Sequence, residues 1–418
     1  MEFKKYKISD VAEVIGGGTP STKKAEYYGS DIPWITPKDL SNHKKRYITY
    51  GERSITNLGL QKSSAKLLPT NTVLFTSRAP IGYVAIAGNQ ISTNQGFKSL
   101  ICNENLILPE YMYYLMKFST PDIENLATGS TFKEVSGSII KNFEIELPNI
   151  IEQEKIINIL SSLDSKIELN LDIIHNLEKI SQTLFKNWFI DFEFPNEEGL
   201  PYKSSGGEMV ESELGEIPKL FKWKLLNEIC EVKDGTHDSP KQVDVGYPLV
   251  TSKHLKNNEI EFNTTKLISE TDFIKVNKRS LVEYKDILIS MIGTVGRLYF
   301  VQEKNINYAI KNIGLIKSSQ TDFSEYIYMY FKSPSMINYI KERMTGSTQQ
   351  YISLTELRKI PILRPNKEII DLYLEKSSVN FDMIHNLILE NQNLQQLRDT
   401  LLPKLLSGEI EIPDDLEV

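Results

Sequence analysis

Cysteine is nearly absent. Cys102 and Cys230 are the only two in 418 residues, and they form no CxxC pair. A disulfide framework and a cysteine-based zinc site are therefore not expected. Long apolar runs are absent too. No segment approaches the ~18 consecutive apolar residues of a membrane span. The opening "MEFKKYKISDVAEV" has no apolar signal-peptide core, so the expectation is a cytoplasmic protein. Catalytic signatures are also missing: there is no HExxH, no GxSxG, no NPPY-like motif and no glycine-rich cofactor fingerprint. The run Gly16-Gly17-Gly18-Thr19 lacks the GK[ST] ending of a phosphate loop and reads as a plain turn. His175 and His385 read as helix-surface residues rather than metal ligands. A stand-alone enzyme finds no constellation here, so binding is the expected activity, with no cofactor and no metal.

What is present is a duplication. "TGSTFKEVSGSIIKNFEIELP" (128–148) returns as "TGSTQQYISLTELRKIPILRP" (345–365), a constant offset of 217 residues. Other pairs follow in the same order. "PWITPKDL" matches "PLVTSKHL", "VLFTSRAPIG" matches "ILISMIGTVG", "EYMYYLMK" matches "EYIYMYFK", and "LDIIHNL" matches "FDMIHNL". A period of half the chain means a duplicated domain rather than a solenoid.

The net charge of −7 hides the same alternation. Residues 1–149 carry 17 Lys+Arg and 14 Asp+Glu (+3), and 150–222 carry 7 and 14 (−7). Residues 223–366 carry 20 and 16 (+4), and 367–418 carry 4 and 11 (−7). A polyanion feels the local field, so the two mildly basic segments remain open to nucleic acid.

The basic segments read as mixed α+β domains. Gly- and Pro-punctuated β runs precede two short amphipathic helices, "PEYMYYLMKF" and "SEYIYMYFKS". In the acidic segments the spacing predicts a heptad seam. Its members are Ile156, Leu160, Leu163, Ile167, Asn170, Ile174, Leu177, Ser181, Leu184 and Trp188 in the first copy. The second copy gives Tyr373, Ser377, Asn380, Ile384, Leu387, Asn391, Leu394, Arg398 and Leu401. The offset falls to 210 at "IHNL" (171 to 381) and returns to 217 (183 to 400), one heptad each way, which keeps the seam on one face. A buried Asn fixes register at a cost in stability, so Asn170→Leu is expected to raise stability or alter spacing. The expected division is 1–149, a first domain; 150–190, a helix; 191–222, a connector; 223–366, a second domain; 367–408, a helix; and 409–418, a tail.

Matched polar loops mark the candidate DNA contacts. In the first domain these are Thr36, Lys38, Thr76, Ser77, Arg78, Thr93, Asn94, Gln95, Ser130, Thr131 and Lys133. In the second they are Thr251, Lys253, His254, Thr294, Arg297, Lys311, Asn312, Ser347, Thr348, Gln349 and Gln350. Arg, Lys, Asn and Gln read base edges, while small hydroxyls and backbone N–H groups hold phosphates. Residue by residue an ordinary polar surface accounts for them better. The case rests on their recurrence in both basic copies.

With these features in order, the chain resembles the specificity (S) subunits of type I restriction-modification enzymes. The likeness rests on "ISDVAEVIGGGTPST", "WITPKDL", both TGST-to-proline blocks, "EQEKIINILSSLDSKIELN", "GLPYKSSGGEMVESELGEIPK" and "LLPKLLSGEIEI". It implies an α+β pseudo-twofold duplication: two globular target-recognition domains separated by two long antiparallel coiled-coil helices. It implies a non-catalytic subunit that binds a split site in double-stranded DNA and docks methyltransferase (M) and restriction (R) subunits. S-adenosylmethionine, ATP and Mg²⁺ would belong to those partners. The alternative, a coiled-coil scaffold that does not bind DNA, leaves the two basic domains unexplained.

Overall fold

The β-rich runs do form strands, and the duplication is visible strand by strand. The computed structural model describes residues 2–129, 133–256, 258–347 and 349–413. It divides into two units, Met1–Asp172 with Ile388–Val418, and Ile173–Leu387.

In the first unit a sheet runs in the order Ala12–Gly16, Phe97–Cys102, Val73–Ser77, Ile81–Ala87, Tyr47–Ile48. Lys4–Lys7 pairs antiparallel with Glu144–Leu147. A smaller sheet holds Tyr28–Ile35 between Arg53–Ile55 and Ser92–Thr93. The second unit repeats each sheet, with four strands in the main one in place of five. Its main sheet is Val232–Asp234, Ile313–Ile316, Ile287–Ser290, Leu298–Phe300. Lys222–Leu225 pairs with Pro361–Arg364, and Tyr247–Thr251 lies between Lys266–Ile268 and Ala309–Lys311.

The helix Pro109–Asn125 corrects one expectation. It is 17 residues long, and Tyr111 to Met116 are all buried. A helix apolar on every side is enclosed rather than amphipathic. Its counterpart Ser324–Lys332 is likewise buried from Ser324 to Phe331. The segment 191–222 is also more than a spacer. Phe194 stacks on Tyr202 and Phe221 at 4.5 and 5.1 Å, and Met209–Val210 pairs with Ile217–Pro218.

Both seam helices are 40 residues long, Ile150–Phe189 and Lys367–Leu406. They start and stop at the same offset of 217, so the internal slip of one heptad is compensated within each helix. Of the predicted seam, Ile156, Leu160, Ile167, Asn170, Ile174, Tyr373 and Ile384 are buried; Leu163, Leu177, Asn380, Leu387 and Leu394 are partly buried.

Within the first unit, Asn170 Nδ2 donates to Asn391 Oδ1 (2.9 Å) and Glu390 Oε2 (2.7 Å). Asp164 accepts from Arg398 Nη1 (2.6 Å) and from Tyr114 Oη (2.7 Å). Gln153 is fully buried; it donates to the carbonyls of Leu106 and Pro148 and accepts from Leu108 N–H, clamping the entry to the Pro109–Asn125 helix. Arg46, at the sheet edge, ties Glu168 and Ser165 of the helix to the domain. Within the second unit, Glu178 holds Asn258 (2.8 Å) and Lys332 (3.2 Å), and Asn380 donates to Ser181 (3.3 Å).

The Asn170 contact changes the expected result of its replacement. Asn170→Leu alone strands the buried Asn391 oxygen, so it should destabilise by about 1–3 kcal/mol rather than stabilise. The double variant Asn170→Leu/Asn391→Leu should recover most of that loss, because it leaves no buried amide unpaired, and the half-exposed Glu390 keeps Lys166 as a partner. Thermal or denaturant melts of both variants test this. Additive losses in the double variant would show that the two amides are not coupled.

Candidate nucleic-acid interface

Register gathers the candidate loops at one end of each main sheet. In the first unit Gly16 lies beside Lys98, Thr76 beside Phe97, and Ser77 beside Ile81. The turn after Gly16, the Thr93–Gly96 loop and the Arg78–Pro80 tip therefore leave from the same edge. In the second unit Asp234 lies beside Gly314, Ile289 beside Gly314 and beside Leu298, and Ser290 beside Ile313, giving the same convergence.

The TGST loop joins that edge in both units through matching backbone bonds. Thr128 and Glu134 exchange N–H···O bonds of 3.1 and 2.9 Å, and Val135 N–H donates to Ser77 O at 2.9 Å. Thr345 and Tyr351 exchange bonds of 2.9 Å each, and Ile352 N–H donates to Met291 O at 3.0 Å. Gly129 (φ 112°) and Gly346 (φ 99°) occupy the left-handed turn position, where a side chain would be strained. The turn after the first strand depends on close approach instead. A Cβ on Gly17 would stand 2.0 Å from Asn94 O, and one on Gly235 would stand 2.4 Å from Ile310 O. These glycines let the turn lie against the neighbouring loop, in keeping with a plain turn.

The candidate side chains fall into three groups. Arg78, Gln95 and Lys133 in the first unit, and Lys311, Asn312, Ser347 and Gln349 in the second, are exposed or half-exposed on these loops. Arg78 and Lys133 line one open cleft of about 520 Å³ with Glu124 and Glu134, and Arg78 reaches Glu134 at 3.5 Å. Gln95 accepts from Thr19 Oγ1, and Asn94 Oδ1 accepts from Gly96 N–H.

A second group holds turns together. Thr36 caps Pro37–Leu40 and bonds Asp39. The exposed Lys38 pairs with Glu52 at 2.6 Å. Thr251 caps the turn Ser252–His254, which carries the exposed Lys253. Arg297 Nη1 donates to Leu255 O.

The third group is a correction. Thr76, Ser77, Thr93 and His254 are buried, at 0, 0, 1 and 2% exposure, and offer no surface to a polyanion. Thr76 accepts from Tyr83 N–H, Ser77 donates to Gly96 O, and His254 Nδ1 accepts from Thr251 N–H. Burial, with the Lys253 charge beside it, pulls the His254 imidazole below its ordinary value, in keeping with that acceptor role. Ser130, Thr131 and Thr348 lie outside the described residues.

Residues that the sequence reading passed over also reach these edges. Lys98 lies between Ser77 and Glu134 (3.4 and 3.8 Å); burial lowers its ammonium while Glu134 opposes the shift. In the second unit Asp234 joins Arg279 and His237 beside Lys275, on an open cleft of about 550 Å³. A strand lysine and a charged helix end carry no loop signature, so spacing could not flag them. Among the described residues no cluster of three or more His, Cys, Asp or Glu side chains could hold a metal ion, and no helix is long and apolar enough to cross a membrane.

Comparison with known proteins places this arrangement among relatives. The type I restriction modification DNA specificity domain matches residues 1–179 and 218–401. The chain is 36% identical over 425 residues to the type I restriction enzyme MjaIX specificity subunit of Methanocaldococcus jannaschii, covering 98% of this chain and 93% of the relative. It is 27% identical over 471 residues to the HindI specificity subunit of Haemophilus influenzae, covering 98% and 100%. Among solved structures, a type I restriction-modification S subunit from M. genitalium shares the fold, with a TM-score of 0.57 and 17% identity over 100% of this chain and 97% of that one.

Proposed function

Because the chain belongs to the type I restriction modification DNA specificity domain family, we propose that each of its two domains reads one half of a bipartite DNA site. Specificity subunits are the non-catalytic, sequence-recognising members of these enzymes. The observation that carries the reading is the loop edge itself. Two non-identical copies converge the same three loops on the same end of the same sheet, in segments of net positive charge. A scaffold needs no such edge, and two copies with different side chains suit two different half-sites.

In this reading the seam helices set the relation between the half-sites and present the docking surface for methyltransferase and restriction subunits. S-adenosylmethionine, ATP and Mg²⁺ would be held by those partners, and the complex would work in the cytoplasm. Co-purification with a co-expressed methyltransferase, followed by salt-dependent DNA binding of the complex, tests it. Retention of the methyltransferase and a steep fall of affinity with salt are expected. A chain that retains no methyltransferase and ignores DNA would overturn the reading.

Lys133 is exposed beside the first TGST loop, where a backbone contact is expected. Lys133→Ala should weaken binding at all sequences alike and lower the salt slope by ~1. A changed base preference at constant slope would place Lys133 on a base edge instead.

A further inference from the structure

The two loop edges differ at the turns after Ala12–Gly16 and Val232–Asp234. In the first unit that turn is Gly16-Gly17-Gly18-Thr19, and the short helix after strand Arg53–Ile55 is Asn57–Gln61, 5 residues. In the second unit the turn is Asp234-Gly235-Thr236-His237, and the helix is Glu270–Ser280, 11 residues. The longer helix carries Arg279 in its last turn, opposite Asp234. Asp234 is buried, at 7% side-chain exposure; one oxygen takes Arg279 Nη2 and the other lies 2.8 Å from His237 Nε2. His237 Nδ1 lies 2.8 Å from Asn312 Oδ1, on the neighbouring loop. Thr236, His237, Ser239, Lys275 and Arg279 line the cleft of about 550 Å³.

The Arg279 side chain is 58% exposed although one of its nitrogens is fixed to a buried carboxylate. That geometry removes much of the rotamer freedom of a long side chain while leaving its remaining donors facing the cleft. The carboxylate also neutralises the guanidinium, which makes it a poor phosphate ligand. It stays a good planar donor, and a planar fork of N–H groups matches the O6 and N7 acceptors of guanine in the major groove.

We propose that Arg279, positioned by Asp234, reads a guanine in the half-site taken by the second domain, with His237 fixing the adjacent turn. This rests on the proposed function and adds to it a specificity residue that the first domain lacks.

The test is enrichment from a randomised duplex DNA library by the full chain with its co-expressed methyltransferase, using wild type, Arg279→Ala, Arg279→Lys and Asp234→Asn. Wild type should enrich a bipartite motif with a G·C pair in one half. Arg279→Ala should lose about ten- to a hundredfold preference at that pair alone, with the other half-site and the salt slope unchanged. Arg279→Lys should lose it as well, since a lysine keeps the charge but not the fork. Asp234→Asn should lose less, at the same pair. The unchanged other half-site shows that each variant is folded. A wild-type motif left intact by Arg279→Ala overturns the assignment alone. Uniform weakening with a slope lower by ~1, or rescue by lysine, makes Arg279 a phosphate contact and overturns it too. If wild type enriches no motif, the proposed function falls with it.

Discussion

Arg398→Ala should cost about 3–5 kcal/mol of stability. Asp164 is 4% exposed, and its only cationic partner among the described residues is Arg398, at 2.6 Å. Tyr114 supplies one further donor. Removing the guanidinium leaves a buried carboxylate whose one remaining side-chain hydrogen bond among the described residues comes from Tyr114, with Arg46 and Lys117 as more distant cations. Arg398→Met with Asp164→Leu and Tyr114→Phe should recover most of the loss, because well-packed apolar side chains avoid the desolvation of both ions and leave no buried hydroxyl without its acceptor. Denaturant melts report both effects. An Arg398→Ala variant as stable as wild type would mean that the pair is solvated.

The same pair governs a second result with a large effect. Residues 1 to about 195 hold one domain and one helix, with the seam from Ile156 to Trp188 left bare. A bare apolar seam finds the equivalent surface on a second copy, in a closed twofold contact. The 217-residue offset, however, places Ser181 where Arg398 stands (181 to 398). The homodimer would therefore bury two Asp164 carboxylates without their guanidinium groups. The truncated chain should dimerise weakly, and Ser181→Arg should tighten the dimer by about a hundredfold or more. Its DNA site, methylated with the co-expressed methyltransferase, should be an inverted repeat of the first half-site. Sedimentation of both truncated forms checks the association. A monomer unaffected by Ser181→Arg would contradict the antiparallel seam in that register, and an asymmetric site would contradict one domain reading one half.

Much of this was legible in the sequence. Heptad spacing located the seam because a period of 3.5 survives polar substitutions: Asn170, Asn391 and Arg398 keep their places although none is apolar. Their partners were not legible. Asp164 lies one position past the predicted Leu163, and only the packing of Tyr114 and Arg398 around it explains why the charged neighbour is the more buried. Internal repetition exposed the duplicated domains, since matching strings in matching order do not depend on recognising any one element.

The loops were harder. "FTSR" reads as a polar turn, yet the antiparallel register carries Thr76 and Ser77 inside, under the loop that Gly96 closes. The string "PEYMYYLMKF" reads as a short amphipathic helix, yet helix Pro109–Asn125 is 17 residues long and buried from Tyr111 to Met116. The aromatic stack of Phe194, Tyr202 and Phe221 joins residues from the two ends of a Gly-rich segment, a contact that no local pattern records.

The most direct measurement is the sequence motif methylated in a host that carries this chain and its methyltransferase. The account predicts a bipartite motif of two different half-sites with a fixed spacer. Deletion of one heptad from each seam helix should change the spacer and leave both half-sites unchanged. A continuous motif, two identical half-sites, or a spacer that ignores the helices would contradict it.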